Sequence, residues 1–565
     1  MNRQEMLTRL ADQEHDLLVV GGGITGAGIA REASLRGLRV ALVEAADFAY
    51  GTSSRSTKLI HGGLRYLKSF ELRLVRESVI ERQRLLVMAP NLAKVTPFLF
   101  PVYRGDPDGL LKLHAGLTLY DLFAGKSNPI AHRMVGPGEV LSFEPGLRSD
   151  GLLGGAVYGD SRTDDARLTL EVIQSAVTHG AVVANYVQVD GFLRGPGGRV
   201  AGVRAVDRLT GDRFEARAGS VLTAAGPWAD AVRRLDDPAA PPLLRLTKGV
   251  HLTLPRARLP IERAVVIRGR EGRMMFAIPS DDCTYVGTTD TDYDGDPSQV
   301  RVNSEDVEYV LEAVGRAFPD AGIGDGDIIS AWAGLRPLLR PAKLRDPSAT
   351  SRDYKVFFSP SGLVTVAGGK LTGFRAMGSH IVDRLYAATR GSSHLAKSTA
   401  PLPGAASPGL STEDVTALAA RTGAPRLYVA RLADHYGGAI RGVVAQLPEA
   451  AAERPREDPS PREDPSKASD PVLTWARARV RHAVKGEMAV RLEDVIWRRT
   501  EIMLFTADNG RGYLGPLAEE MATLLGWSAA RQGAEIEQCR QRIDDMFVWR
   551  KEAGKWGQKR IAFER

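Results

Sequence analysis

The stretch Asp16-Leu17-Leu18-Val19-Val20-Gly21-Gly22-Gly23-Ile24-Thr25-Gly26 decides the fold. An apolar strand pattern runs into a glycine turn and opens a helix that extends to about Leu35. A second strand follows from Arg39 to Glu44. Together these form a βαβ unit of about 30 residues at the N-terminus. The spacing GxGxxG is common by itself, and its context is what discriminates here. Gly21 permits a tight turn, Gly23 lets the backbone approach a diphosphate, and Gly26 allows close helix–strand packing. Ile24 and Thr25 open the helix, whose free N–H groups and positive dipole end attract phosphate. Glu44, at the end of the second strand, is placed to accept hydrogen bonds from a ribose and disfavours a 2′-phosphate. The unit therefore reads as a Rossmann-like site for FAD or NAD.

The segment Thr52-Ser53-Ser54-Arg55-Ser56-Thr57-Lys58-Leu59-Ile60-His61-Gly62-Gly63 chooses between them. It is dense in hydroxyls and ends in paired glycines. A nicotinamide cofactor does not require such a loop. A flavin does, because diphosphate, ribityl chain and ring system must all be held. FAD is the expected cofactor.

The rest of the chain supports a mixed architecture. Residues 167–179 read as a helix, 181–189 as a strand, and Val221 to Gly226 as a buried strand ending on glycine. Residues 251–290 alternate in the manner of an antiparallel sheet, and 356–366 give two more strands before another glycine turn. Helical patterns dominate 411–450 and 471–547. Between them the motif PREDPS occurs twice, at 455–460 and 461–466, in a charged, proline-rich insertion that reads as a linker. The fold class expected is α/β. Segments 12–90, 151–240 and 355–395 are expected to build an FAD-binding domain. It is interleaved with an antiparallel-sheet substrate domain from 91–150 and 241–354. A C-terminal α-helical domain spans 400–565 and carries the insertion 453–470.

Lysine and arginine number 75 against 68 acidic residues, a net charge of +7. That suits an anionic ligand, nucleic acid or an acidic membrane surface without choosing among them. Nucleic acid is disfavoured, because the charge is spread out and no basic motif is interleaved with aromatics. The two cysteines, Cys283 and Cys539, make no disulfide framework or zinc spacing, and no metal is expected. No secretory signal or membrane-spanning run is visible, so a cytoplasmic location is expected.

The loop resembles the TSS…KLIHGGLRYL signature of FAD-dependent glycerol-3-phosphate dehydrogenases of the respiratory, aerobic type. The resemblance continues in Asp164-Asp165-Ala166-Arg167-Leu168, Ala225-Gly226-Pro227-Trp228, Lys248-Gly249-Val250-His251, Gly334-Leu335-Arg336-Pro337-Leu338, Ser351-Arg352-Asp353-Tyr354 and Gly368-Gly369-Lys370-Leu371-Thr372. It is dense over residues 14–390 and returns around 492–500 (LEDVIWRRT). It departs in three places: Val250 replaces a small polar residue, Gly373-Phe374 replaces Thr-Tyr, and the PREDPS insertion is foreign to the family.

The resemblance implies a fold like that of glycine oxidase and D-amino-acid oxidase, and oxidation of sn-glycerol 3-phosphate to dihydroxyacetone phosphate. It extends the cofactor contacts from the glycine turn and Glu44 to Thr52, Ser53, Ser54, Lys58, Leu59, His61, Gly62, Ala225, Gly226, Trp228, Gly369, Lys370, Leu371 and Thr372. Arginine forks suit a dianionic phosphate. Arg65, Arg336 and Arg352 are the candidates, with Arg336 placed either there or near the reacting hydroxyl. Tyr66 would orient substrate. A base must take the C2 hydroxyl proton, and His251 is the first candidate, His61 the second. Lys370 either stabilises charge on reduced flavin or binds the substrate phosphate.

The electron acceptor implied is a membrane quinone. Contact with the membrane is expected at residues 109–123 (GLLKLHAGLTLYDLF), which on pattern alone read equally well as a buried amphipathic helix. The tail 549–565, which mixes tryptophan with basic residues, is a second candidate contact. The location implied is the inner face of the cytoplasmic membrane, on an anionic, monotopic contact, with a homodimer as a further partner arrangement. Two rival classes stay open: a flavin oxidase of the same fold that uses oxygen or takes another amine or 2-hydroxy acid, and a non-catalytic flavin-bound interaction protein.

Overall fold

The computed structural model describes residues 1–64, 71–125, 128–340, 354–390, 399–448 and 470–553. The N-terminal unit is as expected: strand His15–Val20, helix Ile24–Leu35, strand Val40–Val43. Both strands are buried along nearly their whole length, the pattern of parallel strands covered on two faces. At their centre the turn closes on itself. Gly21 has φ +116°, and a Cβ on Gly26 would lie 1.9 Å from the Gly21 carbonyl oxygen. No side chain fits that gap, so Gly26 is set by close approach.

This unit seeds a sheet of eight described strands. Its main path runs Tyr354–Phe358, Val364–Gly368, Arg213–Thr223, His15–Val20, Val40–Val43, Val182–Ala184. All neighbours on it are parallel except Tyr354–Phe358. The strand expected over 181–189 is two strands, Val182–Ala184 and Val187–Arg194, broken where Tyr186 takes φ +56°.

The second sheet is largely antiparallel and includes Lys94–Tyr103, Leu244–Pro255, Ala264–Arg268, Met274–Ser280, Cys283–Gly287 and Ser330–Leu339. Leu152–Arg162 belongs here rather than with the nucleotide-binding segment 151–240. It pairs antiparallel with Lys94–Tyr103 from Lys94↔Arg162 to Tyr103↔Leu152. That long ladder outweighs its position in sequence. Beyond residue 399 the described chain is helical, with apolar cores around Trp475 and Tyr436 and around Leu492 and Leu517. The PREDPS repeat lies outside the described residues, as does 554–565 of the tail.

The two ends of the chain are clasped by charge. Asp47, fully buried, accepts hydrogen bonds from Arg498 at 2.6 Å and from Arg499 at 2.6 and 2.9 Å. Arg498 also donates to Asp494 at 2.7 Å, and Asp494 accepts from Tyr186 Oη at 2.6 Å. Burial alone would raise the Asp47 carboxyl, but Arg499 and Arg498 outweigh it and hold it below the usual range. Its contribution to stability is therefore complete above the ordinary carboxylate value of about 3.9 and is lost as pH falls through the depressed folded value. Removing one partner of such a group leaves the other charges buried without it. Asp47→Ala is expected to cost about 3–5 kcal/mol in urea denaturation and to speed proteolysis between the helical domain and the rest. An unchanged unfolding midpoint would refute the clasp.

Candidate functional site

A cavity of about 830 Å³ lies where the two sheets and the helical domain meet. One wall is the glycine turn, with Gly21, Gly23, Ile24 and Thr25. Glu44 shares this wall. Its carboxylate accepts from the N–H of Gly22 at 2.7 Å and of Ala46 at 2.9 Å, and burial raises its pKa. The hydroxyl-rich loop folds over the turn. Ser53 Oγ accepts from the N–H of Ile24 at 3.0 Å, and Thr52 Oγ1 donates to the Leu335 carbonyl at 2.6 Å. A Cβ on Gly23 would meet Ser53 Oγ at 3.2 Å, so the turn is a backbone cradle with no side chain in it. Leu59, His61, Ala225, Gly226, Trp228, Gly369, Lys370, Leu371 and Thr372 also line the cavity.

Four expected cofactor residues do not line it. Gly26 packs inward on Gly21, Ser54 is buried, and Gly62 lies beneath Tyr120, whose Oη accepts from the Gly62 N–H at 2.7 Å. Lys58 is claimed elsewhere. Its ammonium lies 2.6 Å from both Asp165 and Glu501. Burial alone would lower it, but Asp165, Glu501 and Asp164 hold it well above its ordinary value. Two carboxylates at this distance, one of them fully buried, are a stronger demand on a lysine than a nearby ligand.

Strand alternation builds the reactive wall. In Leu244–Pro255, Val250, Leu252 and Leu254 enter an apolar core, which leaves His251 on the opposite face. Val250 therefore needs no polar partner, because its side chain points away from the cavity. In Ser330–Leu339, Ala331, Ala333 and Leu335 enter the same core, leaving Trp332, Gly334 and Arg336 opposite. The register pairs His251 with Trp332, Gly249 with Gly334 and Thr247 with Arg336. His251 stacks on Trp332, with centroids 5.0 Å apart and planes at 14°. The missing Cβ of Gly249 leaves room for the Arg336 guanidinium, whose Nη2 a Cβ would meet at 2.5 Å.

His251 Nε2 lies 2.9 Å from Thr57 Oγ1, and its Nδ1 has no hydrogen-bond partner. Burial, then the charges of Arg336 and Lys58, hold the imidazole well below its ordinary pKa. It is neutral at neutral pH. Arg336 is oriented by Asp290 and Thr288, each at 3.0 Å. Lys370 Nζ donates to the His61 carbonyl at 2.6 Å, and Thr372 Oγ1 accepts from the His61 N–H at 3.3 Å. The glycine–lysine turn and the hydroxyl-rich loop are thus locked together. Phe374, expected where a hydroxyl faces the ligand, is 1% exposed and packs on Gly28 in the core. No cavity contact is lost by its lacking one. Arg65, Tyr66 and Arg352 lie outside the described residues.

The sequence also left cavity residues unassigned: Tyr50, Arg55 and Thr57, and Arg491, Glu493 and Arg498 from the helical domain. The signal for the last group was the motif at 492–500, which carried no role because its partners lie some 450 positions away. The Arg498–Asp47 contact spans 451 residues.

A bare glycine cradle, an acid at the second strand end and one long cavity continuing to His251 fit FAD. The comparisons agree. A family described as FAD dependent oxidoreductase matches residues 16–382, and one described as the C-terminal domain of alpha-glycerophosphate oxidase matches 397–532. An aerobic glycerol-3-phosphate dehydrogenase of Staphylococcus haemolyticus is 36% identical over 556 residues, covering 96% of this chain and 97% of the relative. A solved glycerol-3-phosphate dehydrogenase from Bacillus halodurans, complexed with FAD, superposes with a TM-score of 0.79 at 32% identity, covering 97% of this chain and 98% of that one. Glycine oxidase from Geobacillus kaustophilus shares the fold alone, with a TM-score of 0.50 at 20% identity, covering 69% of this chain and 98% of that one. The chain belongs to the FAD-dependent glycerol-3-phosphate dehydrogenases.

Proposed function

We propose that the chain oxidises sn-glycerol 3-phosphate at C2 to dihydroxyacetone phosphate and passes the electrons to a membrane quinone. The observation that carries this reading is the convergence of a neutral imidazole, His251, with the cations Arg336 and Lys370 on the wall of the cavity that fits the flavin. Bound FAD would supply the redox chemistry, as acceptor of the hydride from C2. The C2 hydroxyl proton goes to His251 at Nε2, which shares its hydrogen bond with Thr57 on the cavity wall. A neutral imidazole can take that proton; an imidazolium cannot. Arg336, held in place by Asp290 and Thr288, faces substrate anion or developing negative charge. Arg65 and Arg352 complete the phosphate clamp, and Tyr66 orients the substrate. Lys370, tethered to the His61 carbonyl, holds a positive charge on the cavity wall, where it would balance negative charge on a bound flavin.

Membrane contact is assigned to the helix Leu110–Ala124. Leu113, Leu117 and Tyr120 face inward, while Leu111 and Leu122 are 87% and 73% exposed. An exposed apolar face of this kind suits the interfacial zone of a bilayer. Among the described residues no helix is long and apolar enough to cross a membrane. The location that goes with this reading is the inner face of the cytoplasmic membrane, and anionic lipid matches the net charge of +7. Whether two chains associate there as a homodimer is read from the mass of the lipid-free protein.

Anaerobic glycerol 3-phosphate is expected to bleach the flavin absorbance, whereas glycerol, lactate and glycine leave it; no bleaching by glycerol 3-phosphate would refute the substrate. Stoichiometric hydrogen peroxide in air would replace quinone by oxygen as acceptor. His251→Gln is expected to lower kcat by about 10²–10⁴-fold. Because the free imidazole titrates below its ordinary value of about 6.5, the acid limb of wild-type kcat/KM should fall below that pH. A limb above it would remove His251 as base. Replacing Leu111 and Leu122 together by aspartate should abolish flotation with anionic liposomes and spare flavin bleaching; retained flotation would move the contact elsewhere.

A further inference from the structure

Arg55 sits in the middle of the hydroxyl-rich loop, and its burial is unusual. The residue is 6% exposed and lines the cavity. Arg82, Arg167, Arg375, Arg498 and Arg499 are comparably buried, and each is paired with a carboxylate. Arg31 and Arg479 have no carboxylate partner, but Arg31 donates to Ser175 and the Ala400 carbonyl, and Arg479 to Tyr436 and the Arg499 carbonyl. Arg55 has neither kind of partner among the described residues. Among the described residues no carboxylate lies within ion-pair distance of it, and its Nε has no hydrogen-bond partner. Glu493 acts on it from further off, but that acid is already engaged by Arg498 at 3.4 Å and Arg542 at 3.8 Å.

Two aromatic rings hold the guanidinium instead. Its central carbon lies 5.1 Å from the Tyr50 ring centroid and 5.4 Å from that of Trp497. Cation–π contact of this kind satisfies the charge without using the N–H donors, which stay available to an acceptor. Burial, and then the neighbouring charge of Arg542, push the group down to about 10, so at neutral pH it is still charged. A buried charge with no counter-ion is costly and is retained where something supplies the missing anion.

We infer that Arg55 is the cationic anchor for the cofactor's diphosphate. Its place in the loop that caps the glycine turn supports this group. Ser53, two residues before Arg55, hydrogen-bonds the first N–H of the helix Ile24–Leu35, and a helix N-terminus after such a glycine turn is where a dinucleotide diphosphate is held. Backbone donors and the helix dipole supply only partial charges there. Arg55 adds a full charge and a planar fork that matches phosphate oxygens. The aromatic pair fixes it in place: Tyr50 comes from the nucleotide-binding unit and Trp497 from the helical domain, so the anchor is complete only when the two ends of the chain are docked. The other phosphate in the reaction, that of the substrate, is the alternative source of the anion. This inference rests on the cavity being the flavin site.

The test uses the full-length chain stripped of flavin, with FAD binding followed by quenching of flavin fluorescence and with ADP and adenosine as competitors. Arg55→Met keeps the stem and removes the charge. It is expected to weaken FAD and ADP by roughly 10- to 100-fold, the range for hydrogen bonds to a charged group, while adenosine changes by less than about 2-fold. Arg55→Lys should recover part of the loss. Melting temperature gives an independent sign: Arg55→Met should leave the flavin-free chain as stable as before or more so, and lower the melting temperature of the holoenzyme. Equal losses for ADP and adenosine, no loss for either, or a flavin-free chain that is itself destabilised would overturn the assignment. A raised KM for glycerol 3-phosphate with ADP affinity intact would overturn it in favour of the substrate phosphate. If ADP fails to compete with FAD on the wild-type chain, the assignment of the cavity to the cofactor falls, and the role of Arg55 with it.

Discussion

The carbonyl oxygen of Gly21 occupies the space that a side chain on residue 26 would need. That contact lets the strand His15–Val20 turn at once into the helix Ile24–Leu35. It brings the helix end down onto the sheet and leaves its first N–H groups facing outward. Ser53 then caps Ile24, the loop carrying Ser53 folds across the turn, and the strand Val40–Val43 delivers Glu44 to the N–H of Gly22. A larger residue at position 26 would lift the helix and disperse all of these groups together.

Much of this was legible because the signals are local. Turn glycines, a strand-end acid and alternating strands act over a few residues, and strand alternation alone puts His251 and Arg336 on the face opposite the apolar core. What stayed hidden depends on distant partners. Lys58 stands among cofactor-loop residues in sequence but faces Asp165 and Glu501 in space. Phe374 reads as a lost hydroxyl until its ring is seen packed on Gly28. The strand Leu152–Arg162 has the pattern of either sheet, and only its ladder to Lys94–Tyr103 assigns it. For Arg55 the sequence shows a charge in a loop. Its lack of a carboxylate partner is a property of the folded surroundings.

Buried charge is also what joins the helical domain to the rest. Asp47 meets Arg498 and Arg499, Arg167 meets Glu487, and Lys58 meets Glu501. Ion pairs of this kind return little net stability, because desolvation opposes the attraction, yet a mismatched docking would strand several charges at once. They therefore specify one arrangement more than they strengthen it. The arrangement they specify puts Arg491, Glu493 and Arg498 on the cavity wall. The helical domain thus becomes part of the cavity wall.

The helix Leu110–Ala124 extends the same logic to the protein surface. Its outer face shows Leu111 and Leu122 to solvent. On its inner face Tyr120 accepts from the Gly62 N–H and donates to Asp160 at 2.8 Å, while Arg82 pairs with the same carboxylate at 2.8 Å. Gly62 adjoins His61, whose carbonyl holds Lys370. A displacement of the helix toward or away from a surface would be resisted by a buried phenol, a carboxylate and a guanidinium, each with its partners already fixed. The apolar outer face and the hydroxyl-rich loop are thus tied to each other through one buried network.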